Sequence, residues 1–522
     1  MSRASLPQIA ARVACVAALC ACGAPGGATP PGQDSGVAGG DDASASSSGG
    51  GGLDAPGDDA TAKDGSGEGG GSRSSDAAEA GGSLEGGRPD AAAAGSCAGD
   101  TNLPPEPTFP PACSALSASQ TVSATGDPSE ASLDTGRIQA ALDACAPGQA
   151  VRLAAAGASN AFVTGPLNVP SGVSLWVEAG ATLYGTRNPS VYGSASALIT
   201  VSGADSSIVG DGVIDGQGGE PLIGQSGSFW DANGAGGSSP ALVRVAGATN
   251  FTLYRITLHN APMFHVKLAA NGFVVWGVTI KTPSKAANSA GTALSPSVAH
   301  NTDGIDPGEA ASNGYIVCTN ISDGDDQIAI KGSTGVSNLT IAHDHFLAGH
   351  GMSIGSEFQG GVSHVRVCDL SIDGTGSGLS GGSSNGIRIK SDPSRGGLVT
   401  DVTYSDVCVR GLANPILLTP HYSTATGSSI PQYTGITIRN FHALSRGKVT
   451  LDGYDATHAT GITLDNVVVD GITASDVSAT YANVTLGPGA VNFTPSGTGV
   501  TVTSAMSGSS QPNACAGKWV TF

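Results

Sequence analysis

Residues 301–390 carry four short blocks: Asn301-Thr302-Asp303-Gly304-Ile305-Asp306, Gly324-Asp325-Asp326-Gln327-Ile328-Ala329-Ile330-Lys331, Gly349-His350-Gly351-Met352-Ser353-Ile354-Gly355-Ser356 and Asn385-Gly386-Ile387-Arg388-Ile389-Lys390. When the blocks are aligned on their apolar residues, one column contains Ile305, Ile328, Met352 and Ile387. The column two positions earlier contains Asp303, Asp326, His350 and Asn385. A strand repeated on successive turns would place the members of each column roughly 4.8 Å apart. The blocks therefore predict that carboxylates, a histidine and an arginine converge on one face.

A second pattern recurs through the chain and supports this arrangement. A small or polar residue precedes alternating apolar residues, as in Ser337-Asn338-Leu339-Thr340-Ile341. Repeat starts at 249, 271, 314, 337, 363, 400, 434 and 460 are separated by 22, 43, 23, 26, 37, 34 and 26 residues. A smallest step in the low twenties with variable insertions is typical of a parallel β-solenoid. Each block lies 11 to 13 residues before the next repeat start, so the blocks occupy one phase of consecutive coils.

Residues 97–522 have the composition of one folded, all-β domain, and they are predicted to begin with a short helix. Ile138, Leu142 and Cys145 recur at helical spacing after Asp134 or Thr135, either of which can cap the helix. Such a helix would cover the N-terminal end of the solenoid, where an open strand edge invites aggregation. Alternating apolar and polar residues predict strands in three further runs, 151–162, 173–184 and 198–214. About 425 residues exceed one ordinary core, but a solenoid grows by adding coils.

The first 21 residues have the features of an export signal. Arg3 and Arg12 accompany an apolar run over 13–19 that is too short to span a bilayer. The sequence Leu19-Cys20-Ala21-Cys22 resembles a bacterial lipobox, which predicts cleavage before Cys22 and a lipid on its sulfur. An ordinary signal peptide that happens to contain cysteines is the alternative. We therefore expect an exported protein, either a lipoprotein attached peripherally to the outer membrane or cell surface, or a secreted protein.

Residues 22–96 are predicted to be a disordered tether. They consist mainly of Gly, Ser, Ala and Asp and lack the apolar residues that a core requires. Twelve acidic against three basic residues give this segment −9 of the chain's formal net charge of −19. The acidity therefore belongs largely to the tether. Because no basic footprint is present, the composition argues against a nucleic-acid partner.

The ten cysteines do not all pair within the folded domain. Removal of the signal and lipidation of Cys22 would leave seven: Cys97, Cys113, Cys145, Cys318, Cys368, Cys408 and Cys515. Seven is odd, so at least one thiol is unpaired, although an exported protein can form disulfides. We predict a bond between Cys97 and Cys113, and interpret Cys318, Cys368 and Cys408 as small buried residues on repeat strands. No CxxC or His/Cys spacing indicates zinc.

The four blocks resemble the signature motifs of the polygalacturonases, glycoside hydrolase family 28. The matching residues are Asn301-Thr302-Asp303, Gly324-Asp325-Asp326, Gly349-His350-Gly351 and Arg388-Ile389-Lys390. The sequences of residues 303–307, 350–357 and 388–392 are most similar to those of bacterial endo-acting members. The resemblance covers roughly residue 104 to the C-terminus. It implies a right-handed parallel β-helix that hydrolyses α-1,4-linked galacturonan with inversion. The lipobox and long tether are not typical of the family, so they put free secretion in doubt.

Inverting hydrolysis needs a protonated carboxyl at the leaving oxygen and a carboxylate that activates water on the opposite side. By the resemblance, Asp325 is the acid, Asp303 and Asp326 hold and deprotonate the water, and His350 orients or tunes the acid. Crowding of like charges is expected to raise the pKa of Asp325. We expect the aspartates to point into solvent, with acid and base roughly 6.5–9.5 Å apart. The alternative for Gly324-Asp325-Asp326 is a structural turn.

Arg388 and Lys390 alternate with isoleucines and therefore point away from the core on one face. They are predicted to bind the substrate's carboxylate, Arg388 as a bidentate fork and Lys390 as a point charge. The resemblance makes Tyr422 a residue that lines the cleft. Asp306 and Lys331 lie on the same face and are predicted to contact sugar at neighbouring subsites. Solvated surface charges and a surface aromatic are the alternatives.

Three classes of function compete for this sequence. The leading one is a monomeric hydrolase of polygalacturonate, with no cofactor and no metal, and we expect endo action. Exo action depends on loops such as 282–300 and stays open, while rhamnogalacturonan offers fewer carboxylates for Arg388 and Lys390. A pectate lyase would use calcium and a basic residue for elimination. A non-catalytic solenoid would leave Asp325 beside Asp326 without a reason.

Overall fold

A computed structural model describes residues 100, 102–123, 126–375, 384–505, 513 and 515–521. The predicted signal, the tether, Cys22 and Cys97 lie outside these residues, so their assignments stay predictions. The described chain is a parallel β-helix, because every pairing between its strands is parallel and joins successive coils. None of its described helices is long and apolar enough to cross a membrane.

The described residues form 29 strands. In chain order they are β1 (Ala112–Ser117), β2 (Ala150–Ala154), β3 (Ala161–Thr164), β4 (Leu167–Val169), β5 (Ser174–Val177), β6 (Thr182–Gly185), β7 (Ala197–Val201), β8 (Ser207–Val209), β9 (Val213–Asp215), β10 (Ala241–Tyr254), β11 (Thr257–His259), β12 (Val266–Trp276), β13 (Thr279–Lys281), β14 (Ile305–Pro307), β15 (Ser312–Val317), β16 (Asn320–Ser322), β17 (Ile328–Ile330), β18 (Val336–Phe346), β19 (Met352–Ile354), β20 (Val362–Asp373), β21 (Asn385–Lys390), β22 (Leu398–Arg410), β23 (Asn414–Thr419), β24 (Gln432–Ala443), β25 (Val449–Asp452), β26 (Thr460–Val469), β27 (Val477–Thr480), β28 (Ala482–Leu486) and β29 (Thr501–Ser504).

Three stacks of strands, here called A, B and C, make up the wall of the β-helix. Stack C contains β4, β7, β14, β17, β19, β21, β23, β25, β27 and the first halves of β10 and β12. Stack B contains β3, β6, β9, β11, β13, β16 and the ends of β18, β20, β22, β24 and β26. Stack A contains β1, β2, β5, β8, β15, β28, β29 and the remaining parts of the long strands.

The core is a ladder of apolar side chains that repeat in register. Ile305 pairs with Ile328, which pairs with Met352, which pairs with Ile387, so the predicted column is confirmed. All four residues are fully buried. Burial of such side chains stabilises the fold by about 1.5–3 kcal/mol each.

The predicted repeat starts also pair in register, with one exception. Thr249 pairs with Asn271, and Ser363 pairs with Thr400, as the spacing predicts. The start assigned to Gly314 is wrong, because Asn271 pairs with Ser312 instead. Gly314 occupies an inward position, and a Cβ there would lie 2.0 Å from the ring of Phe273. The ring of Phe273 fills the space that a side chain at position 314 would occupy. Because glycine has no apolar side chain, the sequence pattern did not reveal that this position points inward.

Asparagines at the repeat starts form a ladder at the bend that leads into stack A. Asn313 and Asn338 have positive φ angles of 55° and 58°, a conformation that asparagine tolerates. The side-chain amide of Asn338 donates to Oδ1 of Asn313 at 3.1 Å, and Asn313 donates to Asn271 at 2.8 Å. These bonds satisfy polar groups on successive coils and explain why the repeats carry Asn or Asp at this point.

The predicted N-terminal helix is present as α1 (Thr135–Ala144), with Asp134 at its N-cap. Ile138 and Leu142 are fully buried against the first coils, so the helix covers the end of the core. The Asp134 carboxylate makes no cap bond and instead accepts from the backbone N–H of Val163. Two short helices, α2 (Pro189–Tyr192) and α3 (Phe229–Gly234), and the 3-10 turns Pro296–Val298 and Ala474–Asp476 complete the helical elements among the described residues.

Two predictions for this region need correction. The runs 151–162, 173–184 and 198–214 are each interrupted, since each crosses corners of the coil and holds two or three short strands. The predicted Cys97–Cys113 pairing is wrong, because Cys113 is bonded to Cys145 at a Cα separation of 5.7 Å. The end of α1 brings Cys145 beside β1, a proximity that the sequence does not reveal.

The cysteines interpreted as small residues of the repeat strands are buried, as expected, but they are also disulfide-bonded. Cys408 is bonded to Cys515 of the C-terminal segment. Cys318 and Cys368 are buried and disulfide-bonded as well. A cysteine on a repeat strand can therefore form a disulfide that attaches a terminal segment to the outside of the coil.

Candidate active site

The candidate site lies where three consecutive coils turn from stack B into stack C. Asp303 precedes β14, Asp325 and Asp326 precede β17, and His350 precedes β19. The backbone holds the turns together, since Gly304 N–H donates to the Asp326 carbonyl at 2.9 Å and His350 N–H donates to the Asp325 carbonyl at 2.6 Å. Equal phase on successive coils thus brings the four predicted catalytic residues together.

Glycines on either side of His350 allow its turn to approach the neighbouring coils. A Cβ at Gly349 would lie 2.4 Å from the side chain of Gln327, and φ is +148°. A Cβ at Gly351 would lie 2.4 Å from the backbone oxygen of Asn385, and φ is +99°. Larger residues at either position would push the His350 turn away from the aspartates.

Asp303 belongs to a cluster with Lys331 and Asp306. The Lys331 ammonium lies 2.6 Å from Oδ2 of Asp303 and 3.2 Å from Oδ2 of Asp306. Both carboxylates are buried. Lys331 was predicted to contact sugar, but in this structure its ammonium is shared between two carboxylates and compensates their charge.

Asp326 is surrounded by donors from two neighbouring strands. Ser353 donates to its Oδ1 at 2.9 Å, and Lys390 lies 3.0 Å from its Oδ2. The Arg388 guanidinium contacts Oδ1 and also donates from Nε to Ser353 at 2.9 Å. Tyr422 is half exposed, and Lys390 lies 4.8 Å from the centre of its ring. The structure therefore gathers all the predicted binding residues along one groove.

Asp325 and His350 form a second polar pair. Nδ1 of His350 lies 3.1 Å from Oδ1 of Asp325. One ligand atom each from Asp325, Asp326 and His350 lie within 4.8 Å of one another. These are the described residues that could converge on a metal ion, although Asp326 already has two cationic partners.

Two geometric expectations for the aspartates are wrong. Asp303 and Asp326 are only 3% and 1% exposed, so they line the floor of a groove instead of pointing into solvent. Oxygens of Asp325 and Asp326 approach within 4.8 Å, which is closer than the roughly 6.5–9.5 Å expected between acid and base. Both carboxylates belong to one tight turn, in which Oδ1 of Asp325 accepts from the backbone N–H of Asp326 at 2.9 Å, so the two acids lie close together.

The protonation pattern of the free site is the reverse of the expected one. Burial and the negative charge of Asp325 raise the pKa of Asp303 well above its usual value. Burial alone would raise the pKa of Asp325, but the His350 hydrogen bond and the charges of His350, Lys390 and Lys331 outweigh it and hold that pKa below its usual range. Among the three predicted catalytic aspartates, Asp303 is therefore the one whose pKa is raised, while the pKa values of Asp325 and Asp326 are lowered.

The pKa shifts of the remaining charged groups have the same two causes, burial and neighbouring charge. Burial would raise the pKa of Asp326, but Arg388 and Lys390 lower it, so Asp326 is ionised. Burial raises the pKa of Asp306 to about 6. The pKa of Lys331 lies well above its usual value, because the charges of its aspartate partners outweigh burial.

Several residues that support the site were missed in the sequence. Asp323 is fully buried, its Oδ1 accepts from Asp325 N–H at 3.2 Å, and burial raises its pKa well above the usual value. Gln327 accepts from Gly351 N–H at 2.6 Å and fixes the His350 turn. Both belong to the run 323–327 and flank Asp325 and Asp326, so their position in the sequence could have indicated a role in the site. Ser353 lies in the block 349–356, but no role was predicted for it.

His265 also supports the site and had no sequence signal. Its Nδ1 lies 3.1 Å from the backbone oxygens of Thr302 and Asp303, and its Nε2 lies 2.7 Å from the hydroxyl of Thr282. Burial lowers the pKa of His265 to about 4, so the ring is neutral. It holds the backbone that carries Asp303.

Comparison with known proteins identifies the family. The sequence profile of the family described as "Glycosyl hydrolases family 28" matches residues 145–491. A polygalacturonase of Ralstonia nicotianae is 39% identical over 426 residues, which cover 72% of this chain and 79% of that protein. This chain belongs to glycosyl hydrolase family 28. An endo-polygalacturonase of Pectobacterium carotovorum subsp. carotovorum, another relative, is 37% identical over 76% of this chain and 94% of its own length.

Solved structures agree with the family 28 assignment. The polygalacturonase from Erwinia carotovora ssp. carotovora superposes with a TM-score of 0.63 at 36% identity, over 74% of this chain and 99% of that one. The family 28 exopolygalacturonase of Yersinia enterocolitica has a TM-score of 0.57 at 20% identity, over 72% of this chain and 76% of that one, which shows a shared fold alone. The predicted fold class and family resemblance are therefore confirmed.

Proposed function

We propose that this family 28 enzyme hydrolyses α-1,4 linkages between galacturonate residues of polygalacturonate, within the chain and with inversion. The observation that carries this proposal is the groove in which three aspartates face Arg388 and Lys390 on consecutive coils. Such a groove offers proton donors and acceptors for a glycosidic bond beside cations for the substrate's own carboxylates. The names of the bacterial relatives support the substrate and the endo action.

In this mechanism Asp325 protonates the leaving oxygen, while Asp326 and Asp303 hold the attacking water on the opposite side. Asp326 is ionised in the free site and is ready to accept a proton. The C–O bond to the leaving group breaks as the water oxygen bonds to the anomeric carbon, and the water proton passes to the base. His350 positions Asp325 through their 3.1 Å contact.

Asp325 must gain a proton before it can act as the acid, and substrate binding favours this because it raises the pKa of Asp325. Lys390 and Lys331 help to hold the pKa of Asp325 low in the free site. A uronate carboxylate paired with Lys390 neutralises that positive charge, so the pKa of Asp325 rises. Once Asp325 is protonated, its negative charge no longer raises the pKa of Asp303, so Asp303 is ionised and binds the water.

The substrate carboxylate is bound by Arg388 and Lys390, and Tyr422 forms the adjoining wall. Lys390 lies between Asp326 and the ring of Tyr422, so a sugar seated on the exposed tyrosine would bring its carboxylate to the ammonium. Asp306 and Lys331 contact the neighbouring sugar while Lys331 balances Asp303.

Competing functions make different products, so one experiment decides between them. The protein is incubated with polygalacturonate, and the nascent reducing ends are followed by proton NMR together with product length and ultraviolet absorbance. The expected result is the β-anomer first, long oligomers early and no unsaturated uronate. An α-anomer shows retention, unsaturation shows a lyase, monomer alone shows exo action, and no products refute hydrolysis. Equal activity on rhamnogalacturonan would refute the stated substrate.

We further propose that the enzyme is exported and held at a membrane surface by a lipid on Cys22. The support is the sequence Leu19-Cys20-Ala21-Cys22 ahead of a long polar segment. In a Gram-negative host the protein should partition into detergent, and Cys22→Ser should release it in active form. Recovery of the wild type in the aqueous phase, with an N-terminus at Ala21 or later, would contradict lipidation.

A further inference from the structure

Two cations lie on the outward face of stack C, on the N-terminal side of the candidate active site. Arg244 of β10 pairs in register with Lys267 of β12, which pairs with Asp306 of β14. Neighbouring Val243, Val245, Val266 and Leu268 are buried, so alternation along each strand turns the two cations outward. Arg244 and Lys267 thus continue the row that carries Ser353 and Arg388 on later coils.

A cavity of about 520 Å³ opens beside these two cations. Its walls come from α2, α3 and the segment before β12, and its described lining includes Phe229, Met263, Phe264, Gln225, Ser238 and Ser239. None of the described residues that line it is Asp or Glu, although the chain has 42 acidic against 23 basic residues. The combination of apolar surface, hydroxyl and amide groups and positive charge suits an anionic sugar.

Neither cation is strongly engaged by the protein. Arg244 donates to the Ser196 hydroxyl at 3.0 Å and lies 4.0 Å from the exposed carboxylate of Glu309. Lys267 forms no ion pair with any described residue, and its ammonium lies 5.0 Å from the centre of the Phe264 ring. Charge compensation within the fold therefore does not account for Lys267.

The cavity is continuous with the candidate active site. Arg244 and Lys267 also line a second cavity of about 260 Å³, whose lining includes Lys331 and the acidic residues Asp306, Glu309 and Glu357. Phe264 lies between the two regions, since the Lys331 ammonium is 4.9 Å from the ring that Lys267 also approaches. The two cavities therefore meet at Arg244 and Lys267, beside Phe264. Lys267 and Arg388 are four coils apart, or roughly 19 Å at the spacing of paired strands.

We propose that Arg244 and Lys267 form a distal subsite that binds carboxylates of uronate residues remote from the cleaved bond, on the same polysaccharide chain. The inference rests on the proposed function, because it uses the same polymer. It specifies the preferred substrate as a long, unesterified stretch of polygalacturonate. A short oligomer seated at Arg388 and Lys390 does not reach this subsite, and a methyl ester there removes the charge that the cations bind.

The test compares Arg244→Ala, Lys267→Ala and the double variant with the wild type on trigalacturonate and on long polygalacturonate. We expect kcat/KM of the double variant to fall about tenfold or more on the long polymer and to stay unchanged on the trimer, with the loss shrinking at high salt. Lys267→Arg should retain activity on the polymer. The matched control is Arg439→Ala, an exposed cation on stack A away from the groove, which should change neither.

Calorimetric titration with trigalacturonate and with a longer oligogalacturonate separates this inference from the proposed function. If the wild type cleaves nothing yet binds the longer oligomer more tightly, and the double variant loses that advantage, hydrolysis is refuted and the subsite stands. If the wild type cleaves polygalacturonate but the double variant matches it, or loses equally on both lengths, the subsite is refuted and the hydrolase stands. Circular dichroism of each variant checks that the β-helix has formed.

Discussion

Asp326 accepts from Ser353 and contacts both Arg388 and Lys390, and all four side chains are buried. The two cations therefore hold Asp326, the proposed base, in its ionised form before substrate binds. A buried charge that loses its partner is strongly destabilising. At the scale of single residues, catalysis and stability are coupled at Asp326 and much less at Asp325, whose side chain is 20% exposed.

The first prediction separates these two aspartates. Asp325→Asn and Asp326→Asn should each lower kcat by at least about two decades, as removal of an acid or base does. Only Asp326→Asn should also reduce the free energy of unfolding markedly, by about 3–5 kcal/mol, because Arg388 and Lys390 lose their anion. Steady-state kinetics and denaturant unfolding measure the two effects. Full activity of Asp325→Asn, or equal destabilisation by both changes, would contradict the assignment.

A second prediction concerns the pH dependence set by Arg388. Arg388 and Lys390 lower the pKa of Asp326 against the opposing effect of burial. In Arg388→Ala the pKa of Asp326 rises, so the base becomes protonated at higher pH and the acidic limb of the kcat/KM profile should move upward. Arg388→Lys keeps the positive charge and should leave that limb near its wild-type position, while KM rises in both variants. An acidic limb that stays fixed in Arg388→Ala would show that Asp326 is not the base.

At the scale of elements, α1 stabilises the fold without taking part in the candidate site. It lies against the first coils, while the predicted catalytic residues lie several coils away between β13 and β21. A parallel solenoid has neighbour contacts alone, so its exposed end needs a cover. Ile138 and Leu142 provide that cover and are fully buried.

The third prediction follows from this cover. Leu142→Ala should reduce the free energy of unfolding by about 2–5 kcal/mol, the usual cost of a cavity in a core. Activity per folded molecule should stay unchanged. Asp143→Ala, an exposed change on the same helix, should have little effect on stability. Denaturant unfolding and active-site titration provide the two readouts, and loss of specific activity at full folding would contradict the separation.

At the scale of the whole molecule, both ends of the described chain meet on the corner between stacks A and B. The N-terminal segment crosses several coils: Phe109 stacks on Trp176 at 5.0 Å, and Asp100 lies 3.1 Å from Nε2 of His343. Asp369 lies 2.6 Å from Nδ1 of the same histidine and contacts Lys518 of the C-terminal segment. Asp100 therefore lies away from the groove on stack C.

The fourth prediction is a pH dependence of stability at this junction. The Asp369 hydrogen bond, against burial, raises the pKa of His343 above its unfolded value of about 6.5. A raised pKa stabilises the fold fully below the unfolded value, and the effect is lost as pH rises through the folded value. Thermal unfolding of His343→Gln and the wild type should therefore differ more near pH 5.5 than near pH 9. A difference independent of pH would show that the charge contributes nothing.

The sequence by itself determined the β-helix, the phase of its coils and the charged residues at the centre of the candidate site, but not the buried residues that support them. Parallel stacking has a simple rule: residues of equal phase on consecutive coils become neighbours, so Asp303, Asp326, His350 and Arg388 could be brought together from spacing alone. The helix over 134–145 followed from its apolar period, and the polygalacturonase motifs supplied the family.

Only the tertiary structure decided which groups pair and how burial and neighbouring charges shift each pKa. Lys331 turns to Asp303, Arg388 and Lys390 turn to Asp326, and Cys113 bonds to Cys145. These outcomes depend on side-chain direction and on loops of unequal length, which a repeat pattern does not encode. The reversal between Asp303 and Asp325, and the cavity at Arg244 and Lys267, arise from burial and from walls built by α2 and α3. The loss of water around a charged group depends on how the folded molecule packs, so the sequence pattern does not predict it.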